Sequence, residues 1–148
     1  MKYNHIIQEM KESGDPNVLA FLKDASKIKR LSKNERDFYL QNRSMPGAVK
    51  RLVEGFIPYV IFVAYCNSHK TKTLSVLDLI NEGILGAYKA FEKNREKGES
   101  LTKRKVNSQI KSNIKYAVLR DYYHGSIEIA IDDVVIDNVE IDNLKIFI

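Results

Sequence analysis

The stretch LDLINEGILGAYKAFEK, from Leu77 to Lys93, decides which fold this sequence can form. Its apolar residues recur every three or four positions, a spacing typical of one face of an α-helix. They are Leu77, Ile80, Ile84, Ala87, Tyr88 and Phe91. Ser75 is the expected N-cap, and Asp78 follows three residues later, where a carboxylate can close a capping box. The pattern predicts a long amphipathic helix with one buried stripe.

Two glycines, Gly83 and Gly86, lie inside this predicted helix. Each costs about 1 kcal/mol relative to alanine in a helix interior. An ordinary amphipathic helix does not need them. They therefore predict that a neighbouring helix, or another backbone, approaches closely at these positions.

Signals of helices continue along the rest of the chain. Helices are predicted over residues 2–13, from Asp15-Pro16, from Ser32 to about Arg43, from Met45-Pro46, and from about Leu101 to Tyr123. Gly55 and Pro58 are expected to kink or split the fourth of these, with residues 57–66 as the central buried helix. The buried stripe of the last helix is predicted at Val106, Ile110, Ile114, Ala117 and Val118. The sequence thus predicts an all-α helical bundle over residues 1–125.

The last part of the chain, residues 126–148, has a different character. It holds six acids and one base, a net charge of −5, so residues 1–125 carry +10 of the total of +5. Ile127, Ile129 and Ile131 alternate with other residues, and the sequences IDNVE and IDNLK form a short tandem repeat. This pattern predicts an acidic tail that is a β-like hairpin, or an extended segment that orders on binding a partner.

Composition narrows the class of protein. A chain of 148 residues with 44% hydrophobic residues is long enough for one domain with a core. Cys66 is the single cysteine, so a disulfide framework is excluded and a buried, inert thiol in a reducing cytoplasm is expected. The longest apolar run is too short to span a bilayer, and the first residues lack a secretory leader. We expect a cytoplasmic protein without a membrane partner.

The sequence contains no recognisable catalytic constellation. The three histidines do not have the spacing of metal ligands, and there is no phosphate-binding loop, dinucleotide fingerprint or nucleophile elbow. We therefore expect a binding protein that is not an enzyme and has no cofactor and no metal.

The last predicted helix carries a row of polar and basic side chains. Arg104, Ser108, Lys111 and Lys115 fall on one exposed stripe, with Lys103, Lys105 and Arg120 nearby. Cations in a row can follow a phosphate backbone and release counterions. A charged helix face is also common where nothing binds. On these residues alone, nucleic-acid contact and a simple solvated face stay equally open.

The central stretch resembles conserved region 2.2 of bacterial sigma-70-type transcription initiation factors, written D-L-I-Q-E-G-x-x-G-L-x-x-A. The matching residues are Asp78, Leu79, Ile80, Glu82, Gly83, Gly86 and Ala90, with Asn81 in place of the usual glutamine. DPNVLAFLKDASKIKRLSKNE is similar to region 1.2, and LVEGFIPYVIFVAYC lies where the following helix is expected, although Pro58 departs from that pattern. The resemblance covers about Asp15 to Tyr123 and implies a sigma region 2-like helical bundle.

The resemblance implies two partners. The first is bacterial RNA polymerase core, whose β′ clamp helices would contact Asp78, Leu79, Asn81, Glu82 and Ile84, with the glycines letting the partner helix approach. The second is promoter DNA at a −10-like element, which the last helix would contact. The implied DNA-binding residues are Arg104, Lys105, Ser108, Gln109, Lys111, Ser112 and Lys115. The location implied is the cytoplasm of a bacterial host cell.

The last helix departs from the family where bases are held. Ser108 and Gln109 stand in place of a tandem tryptophan, and the chain has no tryptophan at all. Aromatic stacking contributes roughly 1–3 kcal/mol per unpaired base in general, and this helix largely lacks the stacking surface of the family. Promoter opening would then depend on basic and polar contacts, on the polymerase, or on an easily opened AT-rich site.

Nothing in the chain resembles the family's regions 3 and 4, as in the late sigma factors of some tailed bacteriophages. The last residues, NLKIFI, resemble the motif Q-L-x-L-F that binds the replication sliding clamp. Leu144, Ile146 and Phe147 would fill its apolar cleft, unless this segment is a final strand packed on the body or binds a coactivator. Two other functions stay open: a sigma mimic that blocks the β′ site, and a helical DNA-binding regulator that needs no polymerase.

Overall fold

A computed structural model describes residues 3–93 and 101–123, and in these residues the fold is all-α with six helices and no strand. The helices are α1 (Tyr3–Glu12), α2 (Pro16–Ser26), α3 (Lys33–Gln41), α4 (Ala48–Ser68), α5 (Val76–Lys93) and α6 (Lys103–Tyr123). The predicted all-α class is confirmed. The acidic tail, with Leu144, Ile146 and Phe147, lies outside the described residues, so its β-like or extended form stays a prediction.

Three helices begin at the caps that the sequence predicts. Asp15 accepts a hydrogen bond of 2.9 Å from the backbone N–H of Asn17, and Pro16 is the first residue of α2. Ser32 forms a complete capping box at α3. At α5, the N–H of Asp78 donates to Ser75 Oγ (3.1 Å) and the N–H of Ser75 donates to Asp78 Oδ2 (2.8 Å). These reciprocal bonds satisfy backbone donors that a helix start leaves unpaired.

Helix α4 runs unbroken from Ala48 to Ser68, with Pro58 inside it. Of the two predicted effects, the split into two helices is therefore wrong, and the kink stays a prediction. A proline in a helix removes one backbone hydrogen bond, but ten buried residues on α4 hold the flanking turns in the core. Gly55 is a packing residue, because a Cβ there would lie only 2.7 Å from Leu31 Cδ2. None of the helices in the described residues has the length and apolar character needed to cross a bilayer.

The core lies where α4, α5 and α6 meet. The predicted buried stripe of α6 is confirmed at all five positions. Phe91 of α5 is fully buried, and its ring meets Phe56 of α4 edge-on at 5.7 Å. Arg43 is buried beside it, and its Nε donates to the Phe91 carbonyl at 3.1 Å. This bond satisfies a carbonyl that the end of α5 leaves without an intrahelical partner.

Gly83 and Gly86 both face the interior of the protein. A Cβ at Gly83 would lie 2.7 Å from Val60 Cγ1 of α4, and a Cβ at Gly86 would lie 2.9 Å from the Gln109 carbonyl oxygen of α6. The predicted close approach of a neighbouring helix is confirmed, and this helix belongs to the same chain. The expectation that the glycines admit a helix of an outside partner is wrong, because α4 and α6 already occupy that side.

Candidate functional site

A basic cleft lies beside the first turns of α6. It has a volume of about 830 Å³ and is lined by Tyr59, Lys103, Arg104, Lys105, Asn107, Ser108 and Lys111. Four of these residues are cations, and no carboxylate among the described residues lines the cleft. Such a concentration of positive charge attracts polyanions and makes their binding dependent on salt. Four predicted DNA-binding residues, Arg104, Lys105, Ser108 and Lys111, therefore share one surface.

The other three predicted DNA-binding residues do not line the cleft. Gln109 is half-buried, and its Nε2 donates to Asn113 Oδ1 at 2.9 Å. Its backbone carbonyl lies against Gly86 of α5. Ser112 and Lys115 are half-buried, and they lie about one and two helical turns after Ser108 of the cleft. The predicted set is therefore divided between the cleft and the flank of the helix.

Tyr59 is a residue of the cleft that the sequence patterns do not single out. It comes from α4, whose stretch over residues 57–66 is expected to be buried, and it is half-buried. Burial raises the pKa of its phenol, so the hydroxyl stays protonated at neutral pH. The ring therefore offers an aromatic face and a hydrogen-bond donor amid four cations. A tyrosine within the mainly apolar stretch 57–66 is the signal that the sequence contains for this residue, since its hydroxyl needs water or a polar partner.

A second hollow, of about 630 Å³, adjoins the basic cleft and shares Tyr59, Lys103 and Asn107 with it. Tyr3 of α1 and Phe62 of α4 add aromatic rings to its wall. We call it the aromatic hollow. Its size falls within the range of small-ligand pockets in proteins.

Cations also line the aromatic hollow, and two of its lining residues each hold a buried polar atom. Lys29, Arg30 and Arg36 line it from the side of α2 and α3, and Glu54 is the single carboxylate among its described lining residues. Arg36 Nε and Asn107 Oδ1 are buried and have no hydrogen-bond partner within the described part of the chain. Buried polar atoms normally find partners, so this hollow suits a ligand with both hydrogen-bond donors and acceptors.

The predicted polymerase-binding residues of α5 differ in exposure. Asp78 and Asn81 are exposed, and Glu82 and Ile84 are half-buried. Leu79 is 0% exposed, so its prediction as a contact residue is wrong. Its side chain packs in the core because it lies on the same helical face as Gly83 and Gly86.

Two of these α5 residues also have partners within the chain. The Asp78 carboxylate completes the capping box with Ser75, so it stabilises the start of the helix. Glu82 lies 3.8 Å from Arg120 of α6, with both side chains partly open to solvent. Exposed ion pairs of this kind contribute little stability, so Glu82 can exchange this partner for another.

The outer face of α5, defined as Asp78, Asn81, Glu82, Leu85 and Tyr88, includes two apolar residues that were not predicted to bind. Leu85 is 47% exposed and Tyr88 is 42% exposed. Tyr88 is predicted in the buried stripe, but at about 100° per residue it falls at the margin of that stripe. Leu85 lies between Asn81 and Glu82 on a helical projection. Because Leu85 lies outside the predicted apolar stripe, the sequence alone indicates that this apolar side chain is exposed.

The remaining candidate chemistry is limited. In the part of the chain that the structure describes, no group of three or more His, Cys, Asp or Glu side chains could hold a metal ion. Cys66 is half-buried, and burial raises the pKa of its thiol, which keeps it protonated and unreactive at neutral pH. Comparison with known protein families, curated proteins and solved structures finds no match for this chain.

Proposed function

We propose that this protein is a sigma-like transcription initiation factor. In this proposal the outer face of α5 binds the β′ clamp helices of bacterial RNA polymerase core, and the basic cleft binds a −10-like promoter element. One observation carries the proposal. The outer face lies on α5, and the basic cleft lies on α6 and Tyr59 of α4; α5 and α6 are packed against each other, and the two surfaces share no residue. Both partners can therefore be bound at the same time.

The composition of the outer face of α5 supports protein binding. Leu85 and Tyr88 are apolar anchors, and Asp78, Asn81 and Glu82 surround them with polar groups. Protein interfaces commonly have such an apolar centre with a polar rim, and a few central residues supply most of the affinity. A partner helix would bury the two apolar side chains and compete with Arg120 for Glu82.

The basic cleft supports binding of an opened DNA strand. Its four cations can follow a phosphate backbone, and Tyr59 supplies an aromatic face that the first turns of α6 lack. We propose that Tyr59 takes over stacking from the missing tryptophans. In this proposal the side chains of Arg36 and Asn107, which line the adjoining aromatic hollow, bind the edge of an unpaired base. Specificity would then come from these two side chains.

The tail belongs to the same proposal. Leu144, Ile146 and Phe147 would bind the DNA sliding clamp and couple a late bacteriophage promoter to replication. A coactivator is the other partner proposed for this segment. Binding of the tail to a clamp would raise the local concentration of the initiation complex on DNA.

The proposal is tested by transcription from an AT-rich promoter, either intact or melted in advance, with bacterial core polymerase and this protein. The cleft variant Arg104→Ala/Lys105→Ala is expected to bind core normally and to lose RNA synthesis. A matched control, Lys33→Ala/Lys50→Ala, removes two exposed cations on α3 and α4 and is expected to leave synthesis unchanged. Glu82→Lys is expected to lose core binding.

Other outcomes of this experiment point to other functions. RNA from the melted template alone would mean that the protein recruits polymerase but does not open DNA. Core binding that suppresses ordinary initiation, with no RNA from either template, would identify a sigma mimic. Absence of core binding by the wild-type protein would overturn the proposal.

The salt dependence of binding gives a quantitative check on the cleft. Four neutralised phosphates on a single strand predict that log affinity falls with log salt concentration with a slope of roughly −3. Fluorescence anisotropy of a labelled single strand across a salt series measures it. The Arg104→Ala/Lys105→Ala variant is expected to halve the slope, and an unchanged slope would place the DNA elsewhere.

A further inference from the structure

Three consecutive residues in the last turn of α6 contact α5 or the loop that leads into it. The Arg120 guanidinium lies 3.8 Å from the Glu82 carboxylate, and Lys72 Nζ lies 5.3 Å from the centre of the Tyr122 ring. Between them, Asp121 bonds to the loop that joins α4 and α5. This turn is at the opposite end of α6 from the basic cleft.

Asp121 is only 6% exposed, although it carries a carboxylate. Its Oδ2 accepts hydrogen bonds from the backbone N–H of Lys72 and from that of Thr73, the latter at 3.2 Å. Its Oδ1 accepts from the Thr73 hydroxyl. A buried charge is costly unless it is satisfied, and here one carboxylate binds three donors that lie 48 or 49 residues earlier in the chain.

The loop held by Asp121 leads directly into the start of α5. The Thr71 hydroxyl lies 2.7 Å from the Leu74 carbonyl, which closes the loop on itself. Thr73 is two residues before Ser75, the N-cap, and Asp78 completes the capping box. The position of Thr73 therefore fixes where α5 begins and how its first exposed residues face solvent.

We propose that Asp121 is a positioning residue for the outer face of α5. By fixing the loop before α5 on the end of α6, it holds Asp78, Asn81 and Glu82 in the arrangement that a protein partner recognises. The inference rests on the proposed function for the identity of that partner, the polymerase core. Asp121 acts through Thr73 and the helix start, and it does not touch the partner itself.

The test compares Asp121→Asn with the wild-type protein. Asparagine keeps the size of the side chain but replaces one acceptor oxygen by an NH₂ group that faces backbone donors. Thr73→Val is a milder variant that removes only the hydroxyl donor. Asp24→Asn, on the exposed surface of α2, is the matched control for loss of one negative charge.

Two measurements separate positioning from general damage to the fold. Amide hydrogen exchange is expected to accelerate at least tenfold in residues 72–76 of Asp121→Asn, with exchange in α4 unchanged. Core affinity is expected to fall roughly tenfold or more in Asp121→Asn and about threefold in Thr73→Val. Binding of a single-stranded oligonucleotide to the basic cleft is expected to stay at the wild-type level, because the cleft lies at the other end of α6.

The outcomes distinguish this inference from the proposed function. If wild-type protein binds core and Asp121→Asn binds it equally well, Asp121 positions nothing and the inference is overturned. Equal loss of core and oligonucleotide binding would assign Asp121 to the stability of the whole fold and would also overturn it. If wild-type protein does not bind core at all, the proposed function fails and takes the positioning role with it.

Discussion

The two faces of α5 carry different information, although they come from one run of sequence. The inner face holds Leu79, Ile80, Gly83, Gly86 and Ala90, all buried against α4 and α6. The outer face holds exposed or half-buried side chains. Seven residues carry the proposed resemblance to the sigma signature, and these five inner residues are among them. The match therefore describes mainly how the helix packs.

Only two of the matching residues, Asp78 and Glu82, remain available to a partner. Even these have roles within the chain, since Asp78 caps the helix and Glu82 lies near Arg120. A likeness in this stretch is thus stronger support for a helical core than for a binding partner. Variants on the inner face are expected to affect mainly stability, and variants on the outer face are expected to affect mainly partner binding.

The largest effect is expected on the inner face, from Gly86→Ala. The new methyl group would lie 2.9 Å from the Gln109 carbonyl oxygen and 3.1 Å from Ile110 Cα, both backbone atoms of α6. The two helices must then separate, because backbone atoms inside a helix do not move aside. Overpacking costs about 1–3 kcal/mol, and the better helix propensity of alanine offsets about 1 kcal/mol of it. The offset leaves a net loss of up to about 2 kcal/mol, and the rigid backbone contact places Gly86→Ala at this upper limit in urea unfolding monitored by circular dichroism.

Gly83→Ala is the matched control for this variant. Its methyl group would meet the side chains of Val60 and Ile114, at 2.7 and 3.0 Å. Side chains can shift by small rotations, so the free energy of unfolding is expected to fall less than in Gly86→Ala. A larger loss for Gly83→Ala would contradict the view that the backbone contact at Gly86 is the more rigid one.

An intermediate effect on the free energy of unfolding is expected at the capping box, which lies at the start of α5. Ser75→Ala and Asp78→Ala each remove one of its reciprocal hydrogen bonds, and loss of such a cap typically costs about 1 kcal/mol. Both variants are expected to lower the unfolding free energy by similar amounts. Only Asp78→Ala removes an exposed side chain of the outer face, so the affinity of Asp78→Ala for core polymerase is expected to be lower than that of Ser75→Ala. Equal affinities would mean that Asp78 serves the helix alone.

The smallest effect on stability is expected on the outer face. Leu85→Ala and Tyr88→Ala are each expected to change the unfolding free energy by no more than about 0.5 kcal/mol, because both side chains are largely exposed. Their core affinity is expected to fall at least tenfold if they are the apolar anchors of the interface. Isothermal titration with core polymerase measures it. Unchanged affinity in both variants would remove the outer face from the proposal.

The sequence predicts well those features that depend on near neighbours in the chain. The capping boxes at Ser32 and Ser75, the all-α class and the buried stripe of α6 follow from spacings of three or four residues, and all are confirmed. The continuity of α4 through Pro58 was missed, because it depends on packing that local signals do not contain. Burial of Leu79 was missed because a family motif does not distinguish residues that pack from residues that contact a partner.

The basic cleft is only partly predictable from the sequence, because some of its residues come together only through packing between distant helices. Its cations follow one another on α6, so their spacing reveals a charged face. Tyr59 lies on α4, more than forty residues earlier, and it joins the cleft only when the core has formed. Arg36 of α3 and Asn107 of α6 likewise line the same aromatic hollow, although they are far apart in the sequence. Pairing between distant helices is decided by tertiary packing, which a single sequence reveals only through close-packing residues such as Gly86.

The contact at Gly86 has a mechanical consequence. There α5 and α6 touch backbone to backbone, with no flexible side chain between them to absorb a displacement. Two helices packed in this way move as one rigid body, because close-packed protein interiors have low compressibility. The distance between the outer face of α5 and the basic cleft is then a fixed length. A partner bound at one of these surfaces would therefore have a fixed position relative to a partner bound at the other.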